Sequence, residues 1–204
     1  VQLINTLKHK KRLLPGAFFY IYFMNQGGLI VATPLILGDF NFRRSVILLA
    51  SQKTSGSIGF ILNKKLNYKL NDIVEDINIK FPLFYGGPVE QDNLFYLHRL
   101  GNVIPDSIEI NSSLSWNGDF KFVTKLINEN KIKSNDIRFF LGCSSWSNGQ
   151  LEKELDEKSW EPFEIVSTEK VLKMKIQNMW KKCMISLGGK YRLWSNAPEN
   201  PNFN

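Results

Sequence analysis

Apolar residues along this chain come mostly in short continuous runs separated by turn residues. Leu29-Ile30-Val31-Ala32 and Ser45-Val46-Ile47-Leu48-Leu49-Ala50 are rich in β-branched side chains and too continuous for half-exposed strands, so they predict central ones. Ser57-Ile58-Gly59-Phe60-Ile61-Leu62-Asn63 follows the turn residues Thr54-Ser55-Gly56 and predicts a hairpin with its predecessor. Leu94 to His98, and Ile137 to Leu141 ending at Gly142, are further strands, and Gly86-Gly87-Pro88 marks a tight backbone path between elements.

Helical spacing appears elsewhere. Phe120, Val123 and Ile127, with Phe122 and Leu126, predict a helix over 119–128. A short helix is predicted from Asn71, as N-cap, to Asp76. Ser147 and Gln150 have the spacing of a capping box before a helix through Leu151 and Leu155, with Glu154 and Lys158 as an i,i+4 pair. A long helix capped by Ser167 or Thr168 would carry the stripe Leu172, Ile176, Met179, Trp180, Cys183 and Leu187 and stop at Gly188. From Lys190, a tail containing Pro198 and Pro201 predicts an extended strap. Strands in hairpins and beside helices, without βαβ alternation, predict an α+β fold: one compact domain with a mixed sheet flanked by helices.

Composition narrows the class. The 204 residues are 43% hydrophobic and 22% charged, which excludes a disordered, collagen-like or disulfide-scaffold chain. The net charge of +7 is unevenly placed: residues 1–23 hold Lys8, Lys10, Lys11 and Arg12 and no acid, leaving 22 bases against 19 acids, or +3, in the remainder. That balance is an ordinary solvated surface and argues against nucleic acid as the partner. The apolar run Leu13 to Phe23 is shorter than the roughly 20 residues a bilayer requires, and no A-x-A-like site follows it. Residues 1–23 read as a non-native or disordered leader before a domain spanning 24–204, with Met24 a natural start; a peripheral extension and a targeting segment are the alternatives. Cys143 and Cys183 have no second pair and read as reduced thiols.

Candidate chemistry is sparse. Gly142-Cys143-Ser144-Ser145-Trp146, read as a loop between strand and helix, suggests a nucleophile elbow, but Trp146 stands where the elbow needs a small residue. Ser144 or Cys143 activated by His98 is the one triad-like arrangement available, against a structural turn and a non-catalytic ligand site. His98 on a strand suits a structural role better than a base, and one domain histidine with two distant cysteines supplies no metal site. Glu152, Glu154, Asp156 and Glu157 are interleaved with lysines like a solvated helix face. Gly86-Gly87-Pro88 lacks the endings of phosphate-binding loops, so no cofactor is indicated. Arg43 and Arg44, taken as strand residues, should point to opposite faces, one toward an anionic partner and the other into an internal ion pair.

In order along the chain, Gly28 to Pro34, Asp39, Phe42 to Val46, Gly56 to Asn63, Tyr85 to Val89, Leu97-His98, Gly142, Trp146, Gly149 to Glu152, Glu154-Leu155 and Trp160 together resemble the YqgE/AlgH family of small bacterial proteins. The closing Pro198 to Asn204 is similar to the tail of its Bacteroidetes branch. The resemblance implies an α+β domain with a bifurcated sheet and a cytoplasmic protein. Family members carry the label of transcriptional regulator, although this sequence shows no helix-turn-helix. Two departures stand out: Gln52 where the family commonly has His, and Cys143 in a loop that commonly reads G-Y-S/A-G-W.

The leading expectation is a cytoplasmic protein that binds a small ligand or a protein partner in a polar cleft. Arg43, Arg44, Asn63, Gly86, Gly87, His98, Ser144, Trp146 and Gln150 would line that cleft, because loops on a rigid scaffold usually carry function. A hydrolase using Ser144 or Cys143 with His98, and a DNA-associated regulator, are the alternatives.

Overall fold

The computed structural model describes residues 26–36, 39–163 and 168–196. Residues 1–23, Met24, Ser167, Pro198 and Pro201, on which parts of the sequence reading fall, lie outside the described residues.

The apolar runs become strands for the expected reason. β1 (Leu29–Ala32) buries all four side chains, and β2 (Val46–Lys53) its first six. β3 (Gly56–Ile61) returns antiparallel to β2, with Lys53 opposite Gly56 across the turn. The chain continues through β4 (Lys65–Lys69), β5 (Pro82–Tyr85), β6 (Val89–His98), β7 (Ile108–Asn111) and β8 (Leu114–Trp116). Helix α1 (Phe120–Asn128), β9 (Ile137–Ser147), α2 (Gln150–Asp156), β10 (Trp160–Phe163), α3 (Met179–Leu187) and α4 (Gly189–Trp194) complete it.

The strands run in the order β10-β1-β2-β3-β9-β6-β8-β7, with β4 and β5 branching from β9. The sheet is mixed, because β5 pairs parallel to β9 whereas the other pairs are antiparallel. Its fork lies on β9: β6 takes one edge, and the other is shared by β5 at Phe139 to Leu141 and by β3 at Ser144 to Ser147. Between the two stations sits Gly142 at φ +70, a backbone conformation that glycine adopts without a Cβ penalty. The strand predicted to stop at Gly142 therefore runs on to Ser147, because new partners take up its hydrogen bonds beyond the kink.

Alternation across the sheet builds two apolar layers. Leu29, Val31, Leu48, Phe60 and Phe140 pack under Trp180, Cys183 and Met184 of α3. Ile30, Ile47, Leu49 and Ile61 face the opposite way, onto Trp146, Leu151, Leu155 and Trp160. A third cluster lies under α1, whose Val123 and Ile127 meet Tyr96 and Phe139.

Several elements depart from expectation. The helix predicted over 71–76 is a single 3-10 turn, Leu70–Asp72, with the Asp72 carboxylate reaching back to accept from Lys69 N at 2.7 Å. The long C-terminal helix is two pieces, a 3-10 segment Thr168–Lys173 and then α3, which ends at Gly188 as expected. Asn178 at φ +59 breaks the helical path before α3, yet Leu172, Met179, Trp180 and Cys183 still bury together. Residues expected in the strap from Lys190 begin instead as α4. β4, β7, β8 and β10 were not legible as strands; each is five residues or shorter, and β10 carries Pro162 at the end of the sheet order, where a missing N–H is tolerated. Among the described residues, no helix is long and apolar enough to cross a membrane.

Candidate functional site

The turn before β2 places the arginines. Asp39 organises it, its backbone carbonyl accepting from Arg43 N at 3.0 Å and its side chain from Asn41 N at 2.8 Å. Phe42 anchors the turn, stacked on Trp146 at 6.2 Å and edge-on to Trp160 at 5.4 Å. Arg44 has φ +55, a left-handed conformation costing a non-glycine residue roughly 1 kcal/mol, and its guanidinium lies 4.9 Å from the Trp180 ring centre. Asn63 pins this backbone, donating from Nδ2 to Arg44 O at 2.8 Å and accepting at Oδ1 from Val46 N at 2.9 Å.

Arg43 and Arg44 are thus turn residues, not alternating strand residues. Both line one recess of about 280 Å³, together with Phe40, Asn63 and Lys64. The Arg43 guanidinium sits over the Phe40 ring at 5.4 Å. Lys64 donates from Nζ to the carbonyls of Phe40 at 3.2 Å and Asn41 at 2.6 Å. Burial, and secondarily the charge of Arg43, pull the Lys64 amine down to about 8, while Asp39 acts in the opposite direction. Tyr85 closes one side, its hydroxyl donating to Asn41 Oδ1 at 2.9 Å. The sequence reading missed Lys64; the adjacent Lys64 and Lys65, directly after an apolar strand, were the available signal.

Gly86, Gly87, Cys143 and Ser144 form the fork of the sheet. A Cβ on Gly86 would lie 2.1 Å from Gly142 O, and one on Gly87, at φ +151, 2.3 Å from Cys143 O. Ser144 is fully buried and donates from Oγ to Gly86 O at 3.0 Å. The Cys143 thiol is pushed up to about 11, first by burial and then by Glu90, which keeps it protonated and unreactive at neutral pH. With this stretch inside β9, the strand-to-helix elbow expected here is absent.

His98 lies at the other end of β9, paired with Ile137. Ser144 is seven residues further along that strand, about 20 Å away at roughly 3.3 Å per residue. His98 is fully buried; its Nδ1 accepts from Leu100 N at 3.2 Å, so its Nε2–H donates to Asn117 O at 2.8 Å. Burial lowers its pKa, partly opposed by the bond to Asn117, and the neutral ring is held by backbone on both nitrogens. Among the described residues, the arrangement therefore gives Ser144 and Cys143 no histidine base. A cavity of about 540 Å³ lies near this end, between residues 99–103 and 111–115. Its Arg99 is already paired with Asp136 at 2.6 Å.

Trp146 and Gln150 converge on Glu154. The indole N–H groups of Trp146 and Trp160 donate to Glu154 Oε2 at 2.9 and 2.7 Å, and Gln150 Nε2 donates to Oε1 at 2.9 Å. Glu154 is consequently a buttress behind Phe42 and not part of the solvated face that Glu152, Asp156 and Glu157 do form. The α2 cap is half of the expected box: Gln150 accepts from Ser147 N at 3.0 Å, while the N-cap itself is Gly149. The structure thus gathers Arg43, Arg44 and Asn63 at the recess, with Trp146 and Gln150 behind it; it puts Gly86, Gly87, Cys143 and Ser144 in the adjoining fork, and it leaves His98 apart.

The forked α+β sheet is also the fold of the solution structure of the AlgH protein from Pseudomonas aeruginosa. That structure matches with TM-score 0.65 and 21% identity, covering 85% of this chain and 94% of that one. The chain belongs to the AlgH-like family, whose model matches residues 29–192. It is 39% identical over 183 residues to a UPF0301 protein of Cytophaga hutchinsonii, covering 89% of this chain and all of the relative. A UPF0301 protein of Bacteroides thetaiotaomicron is 40% identical over 185 residues, or 88% of this chain and 91% of the relative.

Proposed function

We propose that this AlgH-like protein is a cytoplasmic binding protein with a regulatory role, whose recess at Arg43, Arg44, Asn63 and Lys64 takes a small anionic ligand. One observation carries the reading: three cationic side chains line a single recess, in which burial, and secondarily the charge of Arg43, pulls Lys64 down to about 8. An anion there would offset the burial of the Lys64 charge and its repulsion by Arg43, and Asn63 would add a neutral partner. Ser144, Cys143 and His98 have scaffold roles in this reading, so binding is favoured over hydrolysis. A second reading, an acidic segment of a protein partner, is favoured by the exposure of Phe40 (77%), which lines the recess with the cations.

The test is a thermal-shift screen of the full chain against phosphate, dicarboxylates, neutral metabolites and acidic peptides. A ligand at a hundred times its Kd stabilises by about 2.7 kcal/mol, a rise of roughly 5–10 °C for a domain of this size. The rise should vanish in Arg43→Ala and Lys64→Ala. A rise that both variants retain, or none with any anion or peptide, would remove this recess as the binding site.

A further inference from the structure

Arg138 is a charge inside the apolar run Ile137 to Leu141, a signal legible in the sequence whose meaning needs the fold. Its side chain is only 7% exposed. Nη1 donates to Leu62 O at 3.2 Å and Nη2 to Leu172 O at 2.8 Å, and the guanidinium lies 4.9 Å from the centre of the Phe84 ring. These contacts satisfy donors without neutralising charge. No carboxylate among the described residues pairs with Arg138, whereas buried charges are ordinarily paired.

Arg138 lines a cavity of about 280 Å³ that Lys65, Lys173 and Lys175 also line, with no acidic residue among the described residues of its wall. The guanidinium has five N–H donors and spends two on the carbonyls above. Ser134 and Asn135 add neutral hydrogen-bonding groups, and Phe84, Leu172 and Ile176 supply an apolar wall. The three lysines are exposed, so a ligand would meet them at the mouth and the guanidinium at the base. Burial lowers the Arg138 pKa to about 10, which still leaves it cationic at neutral pH.

We infer that this cavity is a second binding site, for a small organic anion carrying two or more negative charges beside an apolar or aromatic body, the chemistry of a nucleotide or another phosphorylated metabolite. The phosphate groups would supply the counter-charge that no described residue gives Arg138. The apolar wall would receive the rest of the molecule, and the size of the cavity suits a small molecule. The site does not depend on the Arg43 recess: the two lie along the stretch Leu62 to Lys65, but only Lys65 lines this one.

Titration calorimetry of the full chain with pyrophosphate and with ATP tests it. Both should bind, ATP more tightly, with affinity falling as salt rises. Replacing the exposed residues in Lys65→Ala/Lys173→Ala/Lys175→Ala, which leaves the core intact, should weaken binding at least tenfold, and Arg138→Met should abolish it; Arg43→Ala should change neither. Absence of binding at millimolar ligand would overturn the inference, as would undiminished affinity in the triple variant. Displacement of ATP by an oligonucleotide with a steep salt dependence would overturn the small-molecule assignment in favour of an extended polyanion.

Discussion

Where β5 meets β9, polar groups are enclosed and satisfied: Gly86 O accepts from both Ser144 Oγ and Ile61 N, each at 3.0 Å, and glycines let the backbones touch. A few residues away, from Leu62 to Lys65, the chain runs between two cavities lined by cations. The first region resembles a site in sequence, with glycines, a serine and a cysteine, yet has no unmet demand. The second is plain in sequence, yet gathers Arg43, Arg44 and Lys64 at one cavity and, at the other, Arg138, which no carboxylate among the described residues pairs. Unusual residue types mark where backbone must pass closely; uncompensated charge marks where a ligand would be stabilised.

The sharpest way to break this comparison is Gly86→Ala. A Cβ 2.1 Å from Gly142 O must push apart the fork of the sheet, since the obstacle is backbone. Urea unfolding should show a loss above about 3 kcal/mol or failure to fold; a nearly neutral substitution would mean that the fork is loose. Glu154→Ala should cost about 2 kcal/mol, because two buried indole N–H groups lose their acceptor, and Trp fluorescence should report the change around Phe42. Unchanged stability would strip Glu154 of its buttress role.

The smallest effect sharpens the cationic side. Lys64 is held near 8 in the fold against 10.5 when unfolded, so its protonated form weakens the native state below about pH 8, and this handicap fades as pH rises toward 10.5. Lys64→Met should therefore melt roughly 1–2 °C above the wild type at pH 7, with the gap closing by pH 10. A gap independent of pH would show that Lys64 is not crowded.

Much of the scaffold was legible. The β2–β3 hairpin, α1, and the stripe from Leu172 to Cys183 follow from period and turn chemistry, which act over a few residues. The site was legible only in part. Arg43, Arg44 and Asn63 were named from the sequence and meet at one recess, but Lys64 was not, and His98 was grouped with residues about 20 Å from it. The C-terminal stripe looked like one helix because packing preserves the apolar order even where Asn178 interrupts the backbone.

The order of apolar runs and turns was enough to determine an α+β chain with a mixed sheet, because burial and hydrogen bonding constrain each short segment locally. Only the tertiary structure decided that β9 continues through Gly142 and serves two partners on one edge, since that depends on strands distant in sequence arriving there. Tertiary structure alone also decided which charges lack counter-charges: whether Arg138 or Lys64 is compensated depends on what the fold leaves beside it, and distance in space governs that interaction.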